Sequence, residues 1–314
     1  MRVLFFGTSP FAVPTLQAVH EAAPRHTILG VVTQPDRPSG RGRKVQMSPV
    51  KERALALGYP VHQPERARRK PFPQQVREMA PDALVVAAFG QILPQSLLDI
   101  PRFGGVNVHA SLLPRWRGAA PVHYAILAGD AETGVATMRM EATLDTGPVY
   151  LIAREPILPD DTTGTLEARL AERGAPLLVD TLDRLDRGNL EAIPQDESGV
   201  TLAPPVERAL GFLDPSAENA EALARRVRAM TPRPGAFIDI AGRPLKVLEA
   251  RPELGEGAPG TVLEAGKNGV AVAATEGVLV LTRVQPEGRG AMPAADWARG
   301  ARIVPGDPAS RPAQ

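Results

Sequence analysis

Cysteine is absent from all 314 residues, which excludes disulfides, thiolate metal sites and a cysteine nucleophile. Its absence suits a reducing compartment, and a cytoplasmic protein is the expectation. Charge of one sign is not in excess either, since 36 Lys plus Arg face 35 Asp plus Glu for a formal net charge of +1. Any nucleic-acid surface must therefore come from local clustering. No apolar run approaches the roughly 18 residues of a membrane span. The run at residues 3–6 halts at Gly7, far short of a secretion-signal core, so a soluble protein with no membrane partner is expected. Two nucleotide fingerprints are missing as well. The turn Gly7-Thr8-Ser9-Pro10 lacks the three glycines of a dinucleotide site and no P-loop of the GxxxxGK type occurs, which weakens dehydrogenase and NTPase readings.

The chain is longer than one hydrophobic core usually supports, and 43% apolar residues suffice for two. Its first half alternates short apolar runs with amphipathic stretches, the rhythm of βα units that build a parallel sheet in an α/β fold. Strands are predicted at 3–6, 28–33, 83–88, 106–109 and 137–140, the run at 83–88 being continuous in the manner of a strand covered on both faces. After Pro10, Leu16 and Val19 mark one face of a first helix. Between 166 and 185, Leu170, Leu177, Leu178 and Leu182 recur at helical spacing, with Pro176 expected to kink or divide the helix and Gly188 to end it. Residues 189–205 hold Pro194, Pro204 and Pro205 without periodicity and read as a linker between domains at 1–188 and 206–314. Beyond it, Asn219 can cap a helix with Leu223, Val227 and Met230 on one face. Paired strands at 237–240 with 245–248 and at 270–273 with 278–282, turning at Ala241-Gly242-Arg243 and Glu276-Gly277, predict a small antiparallel barrel of the OB type.

Polar residues on a buried strand are costly unless paired, so Asn107 and His109, alternating with Val106 and Val108, need a reason. Period two sets both on one face, which at the carboxyl end of a parallel strand opens into the crevice where α/β folds bind ligands. A lone histidine there is more simply a satisfied core residue. Two neighbours tell against that account. The loop Ser111-Leu112-Leu113-Pro114-Arg115-Trp116-Arg117-Gly118-Ala119-Ala120-Pro121 follows at once, and Leu144-Asp145-Thr146-Gly147 ends the next strand, where it can set a carboxylate beside the imidazole.

The stretch NVHASLLPRWRGAAP together with LDTG closely resembles the folate-dependent formyltransferase family. The resemblance runs almost the length of the chain, from residues 7–14 through TQPDRPSGRGRK at 33–44 and FGQILP at 89–94 to TPRPGA at 231–236. It implies a Rossmann-like formyltransferase domain followed by the small barrel, 10-formyltetrahydrofolate as formyl donor, no metal, and a catalytic trio of Asn107, His109 and Asp145. It also implies a folate seat at Ser111, Leu112, Leu113 and Pro114. Flat heterocycles favour apolar walls with few polar contacts, so the loop Phe89, Gly90, Gln91, Ile92 and Leu93 is expected to line the pteridine pocket, through its backbone and through Ile92 and Leu93. Attack of a neutral amine on a formyl carbon puts negative charge on oxygen, and each preorganised donor aimed there contributes about 3 kcal/mol. The imidazole of His109 and the amide of Asn107 are such donors. Asp145 is left with several tasks open: orienting the imidazole or a water, or accepting the proton lost from the attacking nitrogen. Relatives usually carry proline in place of Ser9, an acidic residue in place of Pro10 and tryptophan in place of Arg233.

The trio alone does not name the acceptor, because it also suits relatives that formylate glycinamide ribonucleotide or amino sugars, and the hydrolase domain of formyltetrahydrofolate dehydrogenase. From Arg37 to Lys44 there are four basic residues and no acidic one, interleaved with Gly40 and Gly42, ordinarily a solvated loop. The resemblance implies instead that this insertion, with Arg41, Arg43 and Lys44, engages the acceptor end of an initiator methionyl-tRNA. Arg41 matches the family's key arginine by position. Arg225 and Arg228 stand off the apolar stripe of the helix after Asn219, where they could meet phosphates or simply form its charged exterior. Loop and barrel together favour tRNA, since a small acceptor needs neither. A rival of another class, a nucleic-acid-binding protein with an inactive enzyme domain, is opposed by the retention of all three trio residues. A monomer is expected.

Overall fold

The computed structural model describes residues 1–39 and 44–312, without the side chains of Pro38, Ser39 and Lys44. Arg41, Arg43 and the Lys44 side chain, read above as tRNA contacts, lie outside what is described. The chain forms two compact units: Met1–Pro121 with Glu132–Pro156 and Glu167–Ala203, and Val122–Ala131 with Ile157–Leu166 and Pro204–Gln314. Among the described residues no helix is long and apolar enough to cross a membrane.

The first unit is built on seven strands: β1 (Arg2–Gly7), β2 (Thr27–Val32), β3 (Val61–His62), β4 (Ala83–Ala87), β5 (Gly105–His109), β6 (Glu132–Arg139) and β7 (Val149–Pro156). Their order across the sheet is β7-β6-β5-β4-β1-β2-β3. All five residues of β4 are buried, as a strand covered on both faces requires. The chain goes out from β1 to β2 and β3 and then resumes at β4 on the other side of β1, so a topological switch lies between the carboxyl ends of β1 and β4. That crevice positions the site.

The expected parallel sheet is present and carries an antiparallel extension, and the helix expected to kink or divide at Pro176 is not divided. Strands β3, β2, β1, β4 and β5 are parallel, but β6 runs antiparallel to β5 and β7 antiparallel to β6. A buried run such as Thr133–Met138 does not state its direction, which is why the reversal is invisible in the residues. The helix Thr163–Asp186 is continuous through Pro176. Pro176 is exposed, so the carbonyl it leaves unpaired faces solvent and not the core. Leu166, Leu170, Leu178 and Leu182 are buried, and Gly188, at φ +68°, follows the end of the helix. Gly174 on this helix lies so close to the sheet that a Cβ there would meet Val108 at 2.9 Å and Val135 at 3.1 Å. The helix thereby buttresses the back of β5.

In the second unit the Asn219 side chain accepts from Ala222 N at 2.8 Å and caps the helix Ala220–Ala229, whose Leu223 and Val227 are buried. The antiparallel strands β8 (Ala236–Ile240), β9 (Arg243–Glu253), β10 (Val262–Gly266), β11 (Gly269–Ala273), β12 (Val278–Pro286) and β13 (Ala309–Ser310) follow in the order β10-β11-β12-β9-β8-β13. Ala241 and Gly242, at φ 53° and 74°, make the tight turn between β8 and β9 that the sequence predicts. The chain just before β13 returns to β10, with Val262 N donating to Asp307 O at 2.9 Å and Ala309 N to Gly260 O at 2.7 Å. The sheet thus curls on itself as an OB-like, partly open barrel.

His26, in the first unit, illustrates how burial sets pH dependence. Its ring is 1% exposed and Nε2 pairs with Asp183 Oδ1 at 3.0 Å. Burial first, and the nearby amino terminus second, hold its pKa below the ordinary 6.5 in spite of Asp183. The unfolded chain therefore binds the proton more readily, and the stability His26 contributes is full above pH 6.5 and lost as the pH falls towards its lower folded value. Urea unfolding across this range should show a His26→Gln chain with a shallower acid-side loss. Some loss remains, because burial shifts His62 and His123 the same way.

Candidate active site

The site begins with the pleat of β5. Val106 and Val108 pack into the core, while Asn107 and His109 share the opposite face, and His109 is the last residue of the strand. The Asn107 side chain has no hydrogen-bond partner among the described residues. Beyond β5 the chain turns through Ser111, whose buried hydroxyl donates to Arg115 O at 2.6 Å and closes the loop. Trp116 then takes a left-handed backbone, φ 62°, that brings its carbonyl to His109. His109 Nε2 lies 3.0 Å from that oxygen. A carbonyl only accepts, so Nε2 carries a proton and Nδ1 is the nitrogen left facing the crevice.

Asp145 comes to Nδ1 from the connection between β6 and β7. Because β6 is antiparallel to β5, its carboxyl end lies beside the start of β5, Arg139 opposite Val106, and not beside His109. The carboxylate therefore reaches the imidazole from a loop that folds back, and not from a strand end as the sequence suggests. Its Oδ2 sits 3.7 Å from His109 Nδ1 and accepts from Gly118 N at 3.0 Å. The first distance exceeds a hydrogen bond, so Nδ1 is not committed to Asp145. His109 is 6% exposed and Asp145 14%, which strengthens any interaction between them relative to water.

Residues 193–203, which composition marks as linker, are tied to this loop. Ile193 bridges to Val149, and Leu202–Ala203 runs parallel to Arg117–Gly118 as a two-residue ladder. Gln195 Nε2 donates to the carbonyls of Asp145 and Gly147 at 2.8 and 2.6 Å, and Arg117 Nε donates to its Oε1 at 3.0 Å. Arg117, 5% exposed, also pairs with both carboxylate oxygens of Glu197 at 3.2 and 2.8 Å. None of these partners has a local sequence signal, since a glutamine in an aperiodic, proline-rich stretch looks like any surface residue.

The residues expected around a folate divide. Phe89 and Leu93 belong to the core with Phe6 and Phe72, so their side chains do not line an open pocket. Gln91 is turned to Ala67 N at 2.8 Å, and the Gly90 carbonyl accepts from Gln34 at 2.8 Å. Ile92 is 75% exposed and is the apolar side chain this loop offers to a ligand. Leu113 packs with Ala136, Met138 and Val149, Leu112 and Pro114 are partly exposed, and Ser111 is buried. In the second unit Arg225 and Arg228 are half-buried, and Arg228 donates to Asp161 O at 3.2 Å. Burial, and after it the charge of Arg225, lowers the pKa of Arg228. Arg225 Nε is buried without a hydrogen-bond partner among the described residues.

The formyl transferase family matches residues 1–182, and the formyl transferase C-terminal domain matches residues 207–302. A methionyl-tRNA formyltransferase of Thermus thermophilus is 50% identical over 307 residues, 98% of either chain. One from Myxococcus xanthus is 48% identical over 305 residues, 97% of this chain and 96% of that one. The chain belongs to the methionyl-tRNA formyltransferase family. Solved structures at lower identity share its fold. HypX from Aquifex aeolicus in complex with tetrahydrofolic acid superposes with a TM-score of 0.63 at 19% identity, over 95% of this chain and 47% of that one. An N-formyltransferase from Helicobacter canadensis, in complex with folinic acid and dTDP-3-aminofucose, gives 0.66 at 15% identity, over 89% and 98%.

In this member of the methionyl-tRNA formyltransferase family the Gly118 amide that holds Asp145 has no room for a side chain. Its φ is 128°, and a Cβ would lie 2.4 Å from Ala203 O. Gly118→Ala should therefore cost about 1–3 kcal/mol of unfolding free energy, the range for a strained backbone. Urea denaturation of the two chains measures it.

Proposed function

We propose that this chain transfers the formyl group of 10-formyltetrahydrofolate to the amino group of methionyl-initiator tRNA, in the cytoplasm, with Asn107, His109 and Asp145 doing the chemistry. The observation that carries the reading is an imidazole with Nε2 held by a carbonyl and a carboxylate 3.7 Å from Nδ1, at the carboxyl end of a strand whose same face bears Asn107, an amide without a hydrogen-bond partner among the described residues. The acceptor rests on full-length likeness to methionyl-tRNA formyltransferases, barrel unit included.

The formyl donor, when bound, supplies an electrophilic carbon whose oxygen gains negative charge as an amine attacks. Asn107 Nδ2 and protonated His109 Nδ1 are the donors for that oxygen, because Nε2 is committed to Trp116. This moves the role from imidazole in general to one nitrogen. The attacking amine must lose one proton and the departing folate nitrogen must gain one, so the chain needs a group to carry it. In this reading Asp145 accepts the proton lost by the amine, and His109 gives its Nδ1 proton to the departing folate nitrogen. Asp145, 3.7 Å away, then restores the proton on Nδ1, so that both groups end as they began. Ser111, Leu112, Leu113 and Pro114, with the backbone of Phe89, Gly90 and Gln91 and the side chain of Ile92, would hold the folate. The exposed Ile92 and partly exposed Leu112 and Pro114 fit a flat heterocycle.

Arg41, Arg43, Lys44, Arg225 and Arg228 are the proposed phosphate contacts. Arg225 and Arg228 lie one turn apart on the helix Ala220–Ala229 and both are only partly buried, which supports a shared phosphate-facing side.

The deciding assay offers charged initiator tRNA and glycinamide ribonucleotide in competition for the formyl group. Preference for the small amine would overturn the acceptor while leaving the chemistry. His109→Ala should lower kcat at least about a hundredfold with tRNA affinity nearly unchanged, as expected for a donor that acts in the transition state. Arg41→Ala should weaken tRNA binding by about 1–3 kcal/mol and make its salt dependence shallower by about one unit of slope, leaving folate binding alone. Titrations of both ligands across a salt series separate the two effects.

A further inference from the structure

The segment from Gln195 to Thr201, whose composition reads as linker, belongs to the first unit. We propose that it is part of the catalytic frame: Gln195 is a positioning residue for Asp145, and Thr201 is a positioning residue for His109, acting through the Trp116 peptide. This rests on the reading that His109 and Asp145 carry out formyl transfer.

The Gln195 amide is committed at every polar atom the geometry can check. An arginine Nε–H only donates, so the oxygen of Gln195 must face Arg117, and its NH2 must face the two carbonyls of Asp145 and Gly147. Those carbonyls converge on one amide only if the Asp145 loop is folded tightly. Asp145 has φ 52°, a left-handed backbone that an L-residue holds only where its surroundings over-determine it. Gln195 is one part of that restraint and the Gly118 N–H on Oδ2 is the other. Arg117 links them, since it precedes Gly118 in the chain and its guanidinium grips both Gln195 and Glu197.

The same segment sets the histidine. Trp116 is also left-handed, at φ 62°. Its N–H donates to Thr201 Oγ1 at 2.9 Å, and the next amide, Arg117 N, donates to Thr201 O at 2.9 Å. With those held, the Trp116 carbonyl is aimed at His109 Nε2. One strap of seven residues thus bonds to the peptides that fix both members of the imidazole–carboxylate pair. A strap that merely fastened the chain to the surface would affect stability and leave turnover at saturating substrate alone.

The test uses the full-length chain. Gln195→Ala should lower kcat at least about tenfold while KM for charged tRNA and for the formyl donor changes less than about twofold. Thr201→Val should act in the same direction, and Thr201→Ser, which keeps the hydroxyl, should recover most of the loss. Under single-turnover conditions in an Asp145→Asn background, Gln195→Ala should add little, because its effect passes through Asp145. If Gln195→Ala fails to fold, Gln195→Glu keeps the shape, removes both donors and carries the same expectation. Wild-type kcat in the Gln195 and Thr201 variants, or a Gln195 loss that persists in full without the Asp145 carboxylate, would overturn the inference and leave the trio standing. Wild-type turnover by Asp145→Asn alone would remove the underlying reading, and the inference with it.

Discussion

The hydrogen bond from His109 Nε2 to the Trp116 carbonyl, 3.0 Å long, is the constraint on which the rest of the site depends. Because that oxygen can only accept, it decides which imidazole nitrogen keeps its proton and which faces Asp145. The outward nitrogen then has two relationships available, one with the carboxylate and one with whatever enters the crevice. A histidine free to rotate would present either nitrogen to the crevice. The left-handed Trp116, the Ser111–Arg115 closure and the Thr201 bond all serve to keep one carbonyl where it is.

Sheet topology brings this loop to a place where it is useful. The switch between β1 and β4 opens the crevice, β5 delivers Asn107 and His109 to its edge, and the helix carrying Gly174 presses β5 from behind. The antiparallel β6 and β7 then supply what a wholly parallel sheet would not, a connection that folds back over the end of β5 with Asp145 in it. The reversed edge and the folded-back carboxylate are one architectural fact.

Much of this is legible in the residues where the information is local. Val106-Asn107-Val108-His109 states its faces by alternation, Asn219 announces a helix start, and Ala241-Gly242 marks a tight turn, because each depends on a few neighbouring side chains. Strand direction does not, and neither does the fate of Phe89 and Leu93, whose side chains turn into the core although their loop is at the crevice. Pro176 does not divide its helix, which is continuous over Thr163–Asp186 with the proline on the exposed side. Gln195 and Thr201 are the hardest to find. Their partners are 50 and 85 positions away in sequence, and nothing beside them is periodic.

The account turns on which nitrogen of His109 is held, and nitrogen-15 NMR of the histidine side chains reads that directly. There are five histidines, and a chain lacking His109 assigns its signals by difference. In the neutral ring the proton should sit on Nε2, and the Nδ1 shift should respond to Asp145→Asn. A neutral form with the proton on Nδ1 and a bare Nε2 would contradict the Trp116 bond and the arrangement built upon it.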